Sequence, residues 1–268
     1  MIRTVPVAQW VTARTRRIFD RSVALTSWLG NHLRLLAALW LVIILPILSL
    51  KIAASPVPLS SVQDVAQLAL PYIAVVLAPI FGILIGHAAF LNLRDQPGYR
   101  FAWAGRWRAI GRAEAESHHL YGPVGFVTSL MVGMLVGVAV RTAQFVFTVP
   151  ALNMNAPDWG YTLFVAMSIQ LAAVNFFYMV CFIMALKAVP LFPRMLIYVW
   201  AVDVISQVAI ANAVSDVGLP AQVAGPLAVV LTGNIETVGL SAILWLPYLM
   251  LSDRVNVTFR HRVAATAN

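Results

Sequence analysis

Six long apolar runs dominate the chain, covering residues 33–54, 66–91, 122–149, 160–187, 194–214 and 226–251. Each is long enough to cross a hydrocarbon core of about 30 Å, which takes around 20 helical residues. No water reaches that core to satisfy backbone N–H and C=O groups, so each run must close its own hydrogen bonds as a helix. A soluble globule is excluded on the same grounds. Of 268 residues, 61% are hydrophobic and only 10% charged, whereas a water-exposed surface brings charged residues to roughly a quarter of the chain. The expected fold class is all-α: a polytopic transmembrane helical bundle of about six spans.

The net charge of +8 is placed more informatively than its size suggests. Arg3, Arg14, Arg16, Arg17, Arg21 and Arg34 lie before or at the start of the first run, and Arg94, Arg100, Arg106, Arg108 and Arg112 connect the second to the third. Lys187 and Arg194 flank the fourth-to-fifth turn, and Arg254, Arg260 and Arg262 follow the sixth run. The alternate connections, residues 56–64, 150–158 and 215–225, contain no Lys or Arg. By the positive-inside rule both termini are expected in the cytoplasm. Lys51, at an outer helix end, can snorkel. The first run follows an Arg-rich stretch and lacks a small-residue cleavage site, so it is expected to stay as an anchor.

The chain divides into a basic interfacial segment (1–32), the six-span bundle (33–251, with a cytoplasmic helix within 92–121) and a cytoplasmic tail (252–268). In the first segment Trp10, Val11, Ile18 and Phe19 alternate with Arg14, Arg16, Arg17 and Arg21, the pattern of a helix lying on anionic lipid headgroups. Residues 101–120 repeat it, with Trp103, Trp107 and Ile110 between arginines. Because these basic residues hug the membrane boundaries, headgroups rather than nucleic acid are the expected anions.

Helices in lipid associate through close backbone approach and polar contacts, so small residues mark their seams. Gly82 and Gly86 form a GxxxG step in the second span. Ser129, Gly133 and Gly137 do so in the third, with Arg141 next on the same face. These two faces are expected to meet. Pro46, Pro71, Pro79 and Pro247 are placed to bend their helices.

Three ionisable residues, Arg141, Asp203 and Glu236, fall inside spans, where a charge is costly unless paired or wetted. Counted at 1.5 Å per residue from the nearest span end, each lies roughly 14–15 Å deep, which permits a common site. Gln207, Thr232 and Gln144 accompany them, and Gln170 and Asn175 add amides from the fourth span. Two readings follow. One is a structural ion-pair network that fixes helix register; the other is a polar site in which one carboxylate is held by the arginine and the second accepts a proton or cation.

A second cluster, Glu114, Glu116, His118 and His119, spaces carboxylates and imidazoles by three and four residues on a presumed helix, and His87 could approach it. Such spacing can serve a metal or a substrate, although a solvated or headgroup-facing cluster explains it equally. Cys181 stands alone in an apolar run, which excludes an internal disulfide. No GxSxG, HExxH, phosphate-loop or GxGxxG pattern is present, so no catalytic residue is assigned and no cofactor is indicated.

Trp245-Leu-Pro-Tyr248, then Ser252, Arg254-Val255 and Thr258-Phe259, with Phe192-Pro193 before the fifth span, resemble the closing motif of an uncharacterised bacterial membrane-protein family, domain of unknown function twenty-five sixty-nine. The resemblance covers about the last hundred residues and implies a multi-span protein of the bacterial inner membrane without an assigned activity. Asp253 stands where that family commonly has a basic residue. The expected function is a non-enzymatic accessory or assembly component that meets a membrane-protein partner or a second copy. The alternative is a small proton-coupled transporter or channel using the Arg141, Asp203 and Glu236 site; a third reading is an intramembrane enzyme using the Glu/His cluster.

Overall fold

The structure is a computed structural model that describes residues 7–90, 96–97, 105–216 and 219–265. In chain order the elements are α1 (Val7–Asn31), α2 (Leu33–Ala53), α3 (Val62–Ala89), β1 (Trp107–Ala109), α4 (Arg112–Ser117), α5 (Phe126–Thr148), α6 (Asp158–Leu186), α7 (Phe192–Asp216), α8 (Ala221–Leu251), α9 (Asp253–Arg260) and β2 (Arg262–Ala264). Six of them, α2, α3 and α5 to α8, are long and apolar enough to cross a membrane, so the chain is a multi-pass integral membrane protein. Their limits follow the six apolar runs within a few residues. The difference at α3 has a local cause: Ser61 and Asp64 form a capping box, Asp64 N–H donating to Ser61 Oγ (3.1 Å) and Ser61 N–H to Asp64 Oδ2 (2.9 Å), which starts the helix before its apolar stretch.

α6 is the hub of the bundle. It packs against α3, α5 and α7, which is why its buried side chains fall on every face rather than along one stripe. α2 lies against α3, where Trp40 Nε1 donates to the Val76 carbonyl (2.9 Å). α8 packs chiefly on α7 and leaves most of its surface exposed.

The close approach of α3 to α6 depends on glycine. A Cβ on Gly82 would lie 2.6 Å from the Phe176 carbonyl oxygen and 2.8 Å from Met179 Cβ, and one on Gly86 would lie 3.1 Å from Ile183 Cβ. The expected pairing of this face with Gly133 and Gly137 does not occur. A Cβ on either of those glycines would meet nothing within 4 Å, because α5 turns Val127, Leu130, Met131, Met134 and Val138 inward instead. Bulk decides the outcome: α6 offers α3 a longer apolar contact than the glycine face of α5 could.

The expected helix over residues 101–120 is also corrected. Residues 101–104, like Arg3, Arg94 and Arg100, lie outside the described residues, as do the side chains of Trp10 and Val11. Beyond them Trp107–Ala109 is a strand, antiparallel to β2 with Trp107 opposite Ala264 and Ala109 opposite Arg262, and only the short α4 follows. The tail supplies the reason. His261 adopts a left-handed conformation (φ 46°) at the end of α9 and turns the chain back along the loop, satisfying backbone groups that a helix would have closed internally. α9 is buried, with Phe259 against Phe192 (ring centroids 5.0 Å) and Arg260 Nη1 donating to the Leu249 carbonyl (2.7 Å). Burial first, then the Arg262 and Arg194 charges, lowers the Arg260 guanidinium to about 10. Loop, tail and the α6–α7 turn thus close one end of the bundle, called here the arginine-rich end.

Gly82→Ala should lower thermal stability in detergent by about 1–3 kcal/mol, the usual cost of overpacking, while Gly133→Ala should stay within about 0.5 kcal/mol of the parent, as an exposed substitution does. Equal effects of the two substitutions would contradict the assigned seam.

Candidate functional site

Two apolar clusters are stacked along the bundle. The one at the arginine-rich end contains Val138, Val174, Phe182, Phe192 and Val199; the other contains Phe145, Phe164, Leu171 and Ile210. Between them, on α5, α6 and α7, lies a polar layer. Arg141 Nη1 is 2.5 Å from Asp203 Oδ2, and Asp203 is fully buried. The second carboxylate oxygen accepts from Gln170 Nε2 (3.1 Å) and Gln207 Nε2 (3.4 Å). Arg141 also lies over the Tyr178 ring, 5.2 Å from its centroid. Beside this group Asn175 Nδ2 donates to Thr142 Oγ1 (2.9 Å), linking α6 to α5.

A single arginine, a single carboxylate and two amides therefore form one network on three helices. Each charge faces its opposite, which is the condition for holding both in a low-dielectric interior. Glu236 is not part of it. α8 presents Gly233, Asn234 and Thr237 toward Arg141, and Glu236, on a different face of the same turn, is exposed. The expectation of one Arg with two carboxylates fails because depth along the helix is shared but rotation about it is not.

Arg141, but not Asp203, lines a cavity of about 340 Å³ between α5, α6, α7 and α8, whose polar lining also includes Gln144, Thr148, Gln170, Gln207 and Asn234. Gln207 is 2% exposed and its Oε1 has no hydrogen-bond partner. An adjoining, more apolar cavity of about 450 Å³ shares Thr148, Met167 and Val230 with the first and extends to Pro150, Trp159 and Gln222, at the end away from the arginines. Together they make a crevice that descends from that end to mid-bundle and stops at Arg141. Below it lie the buried residues of the arginine-end cluster. Tyr178, Asn234, Thr237 and Thr148 escaped the sequence reading; the signals were the Gln144/Thr148 step of four and the Asn234/Thr237 step of three, both polar pairs on one face of an apolar helix.

The Glu/His cluster is not assembled as expected. α4 ends at Ser117 and His118 is extended (φ −72°, ψ 137°), so helical spacing no longer relates Glu114 to His118 or Glu116 to His119. Glu114 pairs with Arg108 (3.4 Å) and Glu116 with Arg112 (2.8 Å). His118 Nδ1 accepts from Leu120 N–H (3.2 Å), and the two imidazoles lean together at 4.4 Å. His87 is exposed, and its carbonyl accepts from Lys187 Nζ (3.0 Å). Among the described residues no three His, Cys, Asp or Glu side chains are grouped to hold a metal.

No protein-family model matches the chain, and neither does any curated protein or solved structure. The site is therefore read from its own chemistry.

Arg141→Met and Asp203→Leu should each destabilise the protein by about 3 kcal/mol or more, since each leaves one buried charge alone. The double variant should recover about 2 kcal/mol of the summed loss, a direct coupling measurable by reversible unfolding in mixed micelles; strictly additive losses would mean the pair does not interact.

Proposed function

We propose that the protein is a small membrane transporter that binds a polar or anionic solute in the crevice ending at Arg141. The observation that carries this reading is the crevice itself: apolar at its mouth, polar at its floor, and stopped at a guanidinium midway along the bundle. A structural ion pair needs no such space, because lipid-facing bundles fix register equally well with a closed pair. Asp203 holds Arg141 in place and partly neutralises it, so the site favours a hydrogen-bonding solute or a single negative charge over a dianion. Gln144, Gln170, Gln207 and Asn234 supply amides of both polarities to such a ligand. Coupling to protons through a shared Asp203/Glu236 pair does not form part of this reading, as Glu236 lies elsewhere.

The membrane setting belongs to the same proposal. The arginine distribution supports both termini in the cytoplasm and the crevice opening outward; the bacterial inner membrane rests on the resemblance of the carboxyl-terminal motif to domain of unknown function twenty-five sixty-nine alone. α8, exposed over most of its length and carrying Pro226 and Pro247, is the wall best suited to move when the site changes access.

A second reading, an assembly component, is favoured by Glu236 alone. A carboxyl group exposed at the centre of a 31-residue apolar helix is expensive against acyl chains and calls for a partner helix or a second copy. Single cysteines at Thr232 and Leu240, on that face, should then form specific cross-links in native membranes that Glu236→Leu removes; only concentration-dependent, unspecific products would dismiss the idea.

In a Cys181→Ala background, cysteines at Thr148 and Asn234 should react with a membrane-impermeant thiol reagent from the periplasmic face and not from the cytoplasmic one. Labelling from the cytoplasmic face, or none at Asn234, would refute an outward crevice reaching the polar floor. Against a panel of short carboxylates and amides, stabilisation of the parent in thermal melts should be lost in Asn234→Leu; a panel without effect would remove solute binding.

A further inference from the structure

Away from the crevice at Arg141, a groove of about 630 Å³ lies between the second half of α1, the start of α5 and the end of α8. Polar contacts hold α1 at this place, Thr128 Oγ1 reaching the Ser22 carbonyl (3.5 Å) among them. Gly125 N–H donates to Ser22 Oγ (2.8 Å), Thr26 Oγ1 and Thr128 Oγ1 share a hydrogen bond (2.8 Å), and Thr26 Oγ1 donates to the Pro123 carbonyl (3.2 Å). Leu29, buried a turn further on, completes the attachment. The groove wall is apolar: Ile18 and Phe126 are 58% and 70% exposed, and Phe19 and Leu25 are also open.

Its rim is cationic. Arg21 and Arg254 both border it. Arg254 lies over the Phe19 ring, 5.1 Å from the centroid, and donates Nη1 to the Leu120 carbonyl (3.0 Å); a guanidinium carries five N–H donors in all. Arg21 is exposed. Among the described residues no carboxylate lies within ion-pair distance of either arginine, in contrast to Arg108, Arg112 and Arg141. Tyr248 and Ser252 add hydroxyls to the same border. The occupant must therefore be apolar for most of its length and anionic at one end. A soluble anion would leave the Phe126 and Ile18 wall in water, and a protein segment would have to bring both an apolar strip and its own acid to this place.

We infer that this groove is a specific seat for one anionic phospholipid, its phosphate held between Arg21 and Arg254 and an acyl chain lying along Leu25, Phe126 and Val132. The seat differs from diffuse attraction of a basic helix to a charged surface, because it uses two arginines from separate elements and a shaped wall. It would make the attachment of α1 to the bundle dependent on lipid composition, since the bound chain touches α1 on one side and α5 on the other.

Native mass spectrometry of the full chain, released from a neutral detergent, tests this with phosphatidylglycerol, phosphatidylcholine and inorganic phosphate added separately. One phosphatidylglycerol per chain should be retained about tenfold more tightly than phosphatidylcholine, the preference expected from one to two cationic contacts. Arg21→Gln with Arg254→Gln should abolish that preference, while Arg16→Gln with Arg17→Gln, exposed arginines outside the groove, should leave it. Val132→Trp, which fills the wall and keeps both arginines, should lower retention of both lipids at least fivefold while the protein still elutes as a folded species. Equal loss in the Arg16/Arg17 variant would overturn the seat in favour of a diffuse surface charge. Competition by inorganic phosphate at the same concentration as lipid would reduce it to a simple anion site. Unchanged retention in both groove variants would place the lipid elsewhere.

Discussion

A charge inside a bilayer must be answered within a few ångströms by another group of the protein, because lipid cannot answer it. Arg141 and Asp203 answer each other, and much of the bundle is arranged around their doing so. α5 and α7 each contribute one charge, and α6, which lies between them, contributes Gln170 and the Tyr178 ring. The polar layer fixes how these three helices are rotated, since turning any one of them away leaves a buried charge unmatched. Apolar packing could not impose that rotation so sharply, because leucine-like surfaces slide past one another with little change in energy.

On either side of the layer the two apolar clusters behave differently. The arginine-end cluster is sealed by elements from outside the spans: α9 inserts Val255 and Phe259, and β2 ties the tail to the loop preceding α4. The opposite cluster takes in Ala151, Leu152 and Ala156 from the α5–α6 connection and Leu227 and Leu231 from α8, yet a cavity of about 450 Å³ remains between that connection and α8. That cavity adjoins the one that reaches Arg141, midway along the bundle.

The candidate site was partly legible. Arg141, Asp203, Gln144, Gln170 and Gln207 stand out because a polar residue in an apolar run is unusual for any sequence. Glu236 stands out for the same reason, and its depth matches theirs. What a linear count could not resolve was azimuth: Asn234 lines the cavity, while Glu236, two positions on and so about 200° around α8, is exposed. The glycine seam failed in the same manner. Gly82 and Gly86 do mark a close contact, yet small residues advertise that a backbone can approach without saying which backbone does. The helix and strand of the tail were not legible, because a short polar-apolar stretch such as residues 253–264 has no meaning until a neighbouring loop offers it a strand partner.

Sequence by itself determined the number of helices that span, their limits, and the segregation of arginines to alternate connections, because the hydrocarbon core imposes a length and a polarity that any chain must meet locally. Tertiary structure alone decided which helices touch, which carboxylate faces Arg141, where a cavity opens and how the tail closes the arginine-rich end. Those outcomes depend on the rotation and lean of each helix. Such quantities are set by contacts between segments far apart in the chain, where side-chain volume and partner geometry act together and periodicity carries no record of them.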